Sequence, residues 1–153
     1  MTVIVGVDSS EASKAALRLA AQEARWRQAP LIAVSAYEPP IGPVGGFPGS
    51  AMHTGGEQRA TAEAELRATV DAELGDQAGQ TELRVSAGLA GRVIVETARQ
   101  THAQLVVLAA RTGMAVMPGT VSQYVLLKAR CPVVVVPVED TDEGRWGDDS
   151  SGR

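Results

Sequence analysis

The sequence has a single cysteine, Cys131, and only 3% of its 153 residues are aromatic. One cysteine cannot form an internal disulfide or a cysteine-based metal site, which favours a reducing compartment and predicts a buried structural thiol. With so few aromatic side chains, the core must be built from Val, Leu, Ile and Ala. We therefore expect a cytoplasmic protein with an aliphatic core.

Long apolar runs and an excess of positive charge are also missing. No run reaches the roughly 18 apolar residues that a membrane span requires, and no basic segment precedes the first apolar run. The 14 Lys and Arg are outnumbered by 18 Asp and Glu, for a net charge of -4. A surface that neutralises nucleic-acid phosphates or anionic lipid needs the opposite balance. We therefore expect neither nucleic acid nor a membrane as a partner.

Short β-branched runs alternate with segments of helical spacing along the chain. The first run, VIVGV at 3–7, has no polar interruption, which is typical of a strand covered on both faces. Asp8 ends this strand, and Ser9 or Ser10 can cap the helix that follows. The chain therefore begins with a β-loop-α unit.

The same alternation continues to about residue 138. Further strands are predicted at 31–37, 81–87, 104–110 and 132–137, and further helices at 57–74, from about Gly91, and at 119–129. Repeated β-α units imply a single α/β domain, with a parallel sheet and helices on both faces. Such sheets bind ligands beyond the carboxyl ends of their strands. These ends are Asp8, 35–37, 86–88 and 109–112.

Two segments do not fit the alternation. The loop at 38–56 is dense in Gly and Pro, and is predicted to be either a lid over the binding edge or a mobile connector. The segment at 139–153 is polar and acidic, with too few apolar residues to offset the entropy of ordering. We expect it to be a disordered tail that follows a domain at 1–138.

The order of four motifs resembles the universal stress protein family. They are VIVGVDSSEASKAAL at the start, LVVLAA before a glycine-bearing loop, GTVSQYVL on a helix, and CPVVVVP. The resemblance implies a Rossmann-like, adenine nucleotide alpha hydrolase-like fold with a five-stranded parallel sheet. It also implies a homodimer formed through the last strand, at Val133, Val134, Val135 and Val136.

Many members of that family bind ATP, and the resemblance therefore implies a site for an adenine nucleotide, with Mg only as a companion of ATP. Asp8 would lie beside the nucleotide, the backbone near Ala36 would meet adenine, and Gly119 with Thr120 would hold phosphate. The residues expected to contact the cofactor are Gly6, Asp8, Ala36, Ala109, Arg111, Thr112, Gly113, Gly119, Thr120 and Val121.

The predicted phosphate loop departs from the family pattern of G-x-x-G, nine residues, then G-[S/T]. Its first two glycines align with Ala109 and Thr112, and only six residues separate Thr112 from Gly119. Three missing residues remove up to about 10 Å of reach. Gly113 could replace Thr112, but it leaves only five residues before Gly119, and one of these is Pro118, which has no N–H. The short loop counts against a triphosphate.

Part of an anion site remains. Gly119 and Thr120 open a helix whose unpaired N–H groups suit one phosphate, and Arg111 and Ser122 could add donors. The alternatives are an ordinary helix start at Thr120 and a helix cap at Asp8, and both stay open.

No catalytic or metal motif is present, and we expect a regulatory protein rather than an enzyme. His53 and His102 each lack a nearby Cys or second His for metal binding. The alternative function is a nucleotide-free dimeric interaction module, in which Met114, Val116 and Met117 of the short loop contact a partner or pack on the protein.

Overall fold

The computed structural model describes residues 1–39, 55–112 and 120–139. Strands and helices alternate along them: β1 (Val3–Gly6), α1 (Glu11–Arg27), β2 (Leu31–Tyr37), α2 (Gly55–Leu74), β3 (Thr81–Ala87), α3 (Ala90–Gln100), β4 (Leu105–Thr112), α4 (Thr120–Lys128) and β5 (Val133–Glu139). A 3-10 helix at Gly75–Gln80 joins α2 to β3. The predicted strands and helices are confirmed, with their ends displaced by about two residues at most.

The five strands form one parallel sheet in the order β3-β2-β1-β4-β5. The first strand lies in the middle, where Val3 is in register with Leu31 of β2 on one side and with Leu105 of β4 on the other. The chain moves outward from β1 to β3, then returns to the other side of β1 for β4. This reversal places the carboxyl ends of β1, β2 and β4 beside one another, which is where such sheets bind ligands.

The sheet is covered on both faces, as the uninterrupted apolar strands predict. Val5 and Ile4 are both fully buried but belong to opposite faces, because successive side chains of a strand alternate. The face of Val5 packs against α1 and α2 through side chains such as Leu17 and Leu66. The face of Ile4 packs against α3 and α4, through side chains that include Val125.

Cys131 is less buried than the sequence predicts. It is half-buried rather than buried, since it lies in the turn before β5 and only packs against the margin of the core beneath α3 and α4. Burial nevertheless raises the pKa of its thiol, because the thiolate is poorly solvated there.

Several predicted features lie partly or wholly outside the described residues. The lid or connector at 38–56 is described only at its two ends, and the predicted tail only at Glu139, which is the last residue of β5. Met114, Val116 and Met117 also lie outside. Among the helices of the described ranges, none is long and apolar enough to cross a membrane.

Candidate functional site

A cleft of about 480 Å³ opens at the carboxyl ends of β1 and β2. One wall consists of the turn after β1 and the end of β2, and the other wall is the first half of α2. The lining residues are Asp8, Ser9, Ser35, Ala36, Tyr37, Glu38, Gln58, Thr61, Ala62 and Glu65. A second cleft, of about 370 Å³, lies at the opposite end of the sheet, where β2 and β3 begin. The first cleft is the better candidate because parallel sheets bind ligands at their carboxyl edge.

Asp8 is held in place by the start of α1. Its Oδ1 atom accepts hydrogen bonds from the backbone N–H of Ser10, at 2.8 Å, and from the Ser10 hydroxyl. The Ser10 oxygen in turn accepts from the N–H of Ser13 at 3.4 Å and is the cap of α1. The cap is therefore Ser10 and not Asp8. Both bonds to the Asp8 carboxylate use Oδ1, so Oδ2 has no donor among the described residues and can accept a hydrogen bond from a ligand.

The first half of α2 turns one face toward the cleft. Gln58, Thr61, Ala62 and Glu65 follow the three- and four-residue spacing that places side chains on a single helix face. Further along the helix, Leu66 and Val70 are buried against the sheet. Thus the same helix lines the cleft with its N-terminal half and closes the core with its C-terminal half.

The described lining of the cleft carries carboxylates but no Lys or Arg. Asp8, Glu38 and Glu65 supply the negative charge. Nowhere in the described ranges do three or more His, Cys, Asp or Glu side chains gather in a group that could hold a metal ion. The charged groups that a phosphate would meet among these described residues are all of like sign, whereas an uncharged, hydroxyl-bearing group would meet acceptors. The cleft therefore suits the uncharged part of a ligand.

Comparison with known proteins decides the family. The sequence matches the model of the universal stress protein family over residues 1–137. The chain belongs to the universal stress protein family. A comparison with curated protein sequences finds no significant match.

Solved universal stress proteins share this fold. One was solved in complex with cAMP; it is 27% identical, with 89% of this chain and 95% of that chain covered and a TM-score of 0.66. A universal stress protein from Lactobacillus plantarum is 26% identical over 88% of this chain and 97% of its own, with a TM-score of 0.65. Another structure, from Archaeoglobus fulgidus in complex with dAMP, is 22% identical over 89% of this chain and 97% of its own, with a TM-score of 0.60. At this low identity, the similarity shows only that the two proteins share a fold.

Two residues that the universal stress protein resemblance assigns to the nucleotide lie together in the structure. Asp8 and Ala36 both line the cleft, from the turn after β1 and from the end of β2. The structure brings them together because β1 and β2 are neighbours in register, with Gly6 opposite Val34. Their contact with a nucleotide stays a prediction.

Gly6 has a structural role of its own. A methyl group added there would lie 2.8 Å from Leu108 Cδ2 and 2.9 Å from Ile94 Cδ1. These distances are shorter than ordinary contacts between carbon atoms. A side chain at position 6 would therefore require Leu108 and Ile94 to shift, whether or not a ligand approaches it.

The predicted phosphate residues are described only in part. Ala109 and Arg111 lie in β4, Thr112 is its last residue, and Thr120 is the first residue of α4. Gly113 and Gly119 lie outside the described residues. Since β4 pairs with β1, its carboxyl end is next to the turn that carries Asp8.

The first residues of α4 differ in how far their side chains are exposed to solvent. Val121 is partly exposed, whereas Ser122 is buried, with only 4% of its surface accessible. The Ser122 hydroxyl is therefore turned into the protein and is a poor candidate for the additional phosphate donor that the sequence suggested.

The position of α2 as one wall of the cleft was not predicted from the sequence. Gln58, Thr61 and Glu65 look like the ordinary solvent face of a helix. The available signal was the change in composition along that helix, because large aliphatic residues begin only at Leu66. Because the first half of this helix has no large apolar side chain to bury, it can line a polar cleft.

Proposed function

We propose that this universal stress protein is a regulatory protein that binds an adenine mononucleotide, with the nucleoside in the cleft between the strand ends and α2. The observation that carries the proposal is the position of that cleft, at the carboxyl edge where β1 and β2 bring Asp8 and Ala36 together. Its volume of about 480 Å³ lies within the range of small-molecule sites.

The chemistry of the lining supports a nucleoside. In the proposal, Asp8 Oδ2 accepts hydrogen bonds from ribose hydroxyls, since Oδ1 is already used by Ser10. The acidic lining repels phosphate, so the phosphate extends out of the cleft toward Thr120 at the start of α4. The N–H groups of a helix start, together with its dipole, favour an anion at that position. The relative solved with cAMP also supports an adenine mononucleotide as the ligand.

A monophosphate fits the loop better than a triphosphate. Only six residues separate Thr112 from Gly119, which limits how far the loop can extend around a chain of phosphates. Magnesium is then unnecessary, because it would accompany ATP. The proposal is one of reversible binding in the cytoplasm, without catalysis.

We also propose that the protein forms a homodimer through β5. In the described sheet, β5 has a strand partner only on the β4 side, and pairing of its other edge with a second copy would extend the sheet. Apolar side chains lie exposed on and near this edge: Val134 is 37% exposed, and Leu126 and Leu127 of the neighbouring α4 are 48% and 81% exposed. Their burial against a second copy would remove apolar surface from water.

Nucleotide content and binding test the proposed function. The protein is purified under native conditions and denatured, and any released nucleotide is identified by mass spectrometry; calorimetric titrations with AMP, cAMP and ATP follow. We expect AMP or cAMP to bind more tightly than ATP. Asp8→Asn keeps an acceptor for Ser10 but loses the charge, and should weaken binding by about tenfold or more.

Two further variants serve as controls. Asp71→Asn removes one exposed carboxylate from the same α2 helix outside the cleft, and should leave the affinity unchanged. Thr120→Ala tests the phosphate end and should weaken AMP but not adenosine. If no nucleotide is released and none of the three binds at millimolar concentration, the proposal is wrong, and the nucleotide-free interaction module becomes the better explanation.

A further inference from the structure

Gln58, which lines the candidate cleft, has a side-chain oxygen without a hydrogen-bond partner in the described part of the chain. Its Oε1 atom is buried and has no hydrogen-bond donor among the described residues. The residue lies near the start of α2 and lines the cleft. Buried polar atoms almost always have a partner, so an exception in a cleft calls for a functional explanation.

Gln58 and Ala36 line the same cleft from different elements of the fold. Ala36 and its neighbours come from the end of β2, whereas Gln58 comes from α2, and both line the same space. A flat group between these walls would present one edge to the carboxamide of Gln58. The last torsion of a glutamine side chain is broad, so rotation about it can direct Oε1 toward such a group.

We propose that Gln58 is a specificity-determining residue that recognises adenine by accepting a hydrogen bond from its exocyclic amino group. This inference rests on the proposed function. A carboxamide offers an acceptor beside two donors, and adenine offers an amino donor beside a ring-nitrogen acceptor, so the two can pair. The base amino group supplies the donor that Oε1 lacks. Glu65 and Asp8 cannot replace Gln58 in this pairing, because a carboxylate has no donor for the ring nitrogen.

The test compares two ligands that differ only in the amino group. AMP is compared with purine riboside monophosphate, which lacks it, in calorimetric titrations of the wild type and of Gln58→Met. The wild type should prefer AMP by about tenfold, the value of one good hydrogen bond. The Gln58→Met variant should bind both ligands about equally, with an affinity for purine riboside monophosphate close to that of the wild type.

A matched control and a folding measurement complete the experiment. Gln80→Met changes a glutamine that lines the second cleft, and should keep the full preference for AMP. Because Gln58→Met removes a buried acceptor without a partner, its urea unfolding midpoint should be equal to or above that of the wild type. A lower midpoint would mean that the Gln58 carboxamide stabilises the protein without a ligand, and would overturn the proposal.

The outcomes separate this inference from the proposed function. If the wild type binds AMP and purine riboside monophosphate equally, Gln58 does not recognise the amino group, yet nucleotide binding stands. The inference also fails if Gln58→Met keeps the preference for AMP. If neither ligand binds the wild type, the proposed function itself is wrong, and this inference falls with it.

Discussion

Gly6 of β1 lies so close to Leu108 of β4 that a methyl group on Gly6 would be 2.8 Å from Leu108 Cδ2. Ile94 of α3 would lie 2.9 Å away on the same side. Both neighbours are buried, so their side chains have little room to move. A single missing Cβ thus allows two adjacent strands and a helix to pack tightly at the binding edge.

We expect Gly6→Ala to destabilise the fold by about 1–3 kcal/mol, the usual effect of adding a methyl group to a packed core. Gly79→Ala is the matched control, because an added Cβ there has no heavy atom within 4 Å and the backbone φ is not positive. Its free energy of unfolding should change by less than about 0.5 kcal/mol. Urea denaturation measures both. Equal stability of the two variants would mean that Leu108 and Ile94 can move aside.

The start of α1 gives a second prediction. Ser10→Ala removes the side-chain oxygen that accepts from the Ser13 N–H, together with the hydroxyl that donates to Asp8, while the backbone N–H of residue 10 still donates to Asp8. The free energy of unfolding should fall by about 1 kcal/mol. Ser9→Ala, which changes the neighbouring exposed serine, should have little effect. The prediction is wrong if thermal or urea unfolding gives the two variants the same stability.

The proposed homodimer is tested at Val134. Val134→Glu places a charge on the exposed face of β5, and in a twofold interface that charge occurs twice. We expect the variant to be a folded monomer in size-exclusion chromatography with light scattering. Trp26→Glu replaces another exposed apolar side chain, 69% exposed on α1, and should leave the dimer intact. A monomeric wild type, or a Val134→Glu variant that remains a dimer, would contradict the proposal.

The reactivity of Cys131 depends on its raised pKa. Burial favours the neutral thiol in the folded protein, and only the thiolate reacts with iodoacetamide. Alkylation of the folded protein should therefore reach half its maximal rate at a higher pH than alkylation of the same chain in denaturant. Mass spectrometry of quenched samples follows the reaction. A midpoint in the folded protein at or below that of the denatured chain would contradict the assigned effect of burial.

Sequence periodicity was sufficient to predict the sheet and its two helical layers. The apolar run Val3 to Val5 has to be covered on both faces, and the structure covers it in that way. By contrast, the 3-10 helix at Gly75–Gln80 has no periodic pattern of apolar residues that could predict it. It forms where the chain has to connect the end of α2 to the start of β3.

The candidate site was predictable on one side only. Asp8 and Ala36 follow strands, and strand ends can be located from sequence. Gln58 belongs to the other wall, and no local pattern distinguishes it from a solvated helix residue. Its role depends on where the chain places α2 relative to β1 and β2, which is a property of the topology. The phosphate residues Gly113 and Gly119 lie outside the described residues and stay predictions.

The register of the central strand has a consequence for synthesis of the protein. Val3 is synthesised before its partner Leu105, which is made about 100 residues later. Until β4 emerges, β1 has an apolar edge with no neighbour on that side, as transient species on folding pathways often do. Nascent chains from which β4 has not yet emerged should therefore be especially prone to aggregate, and chaperones should bind them in preference to the folded protein.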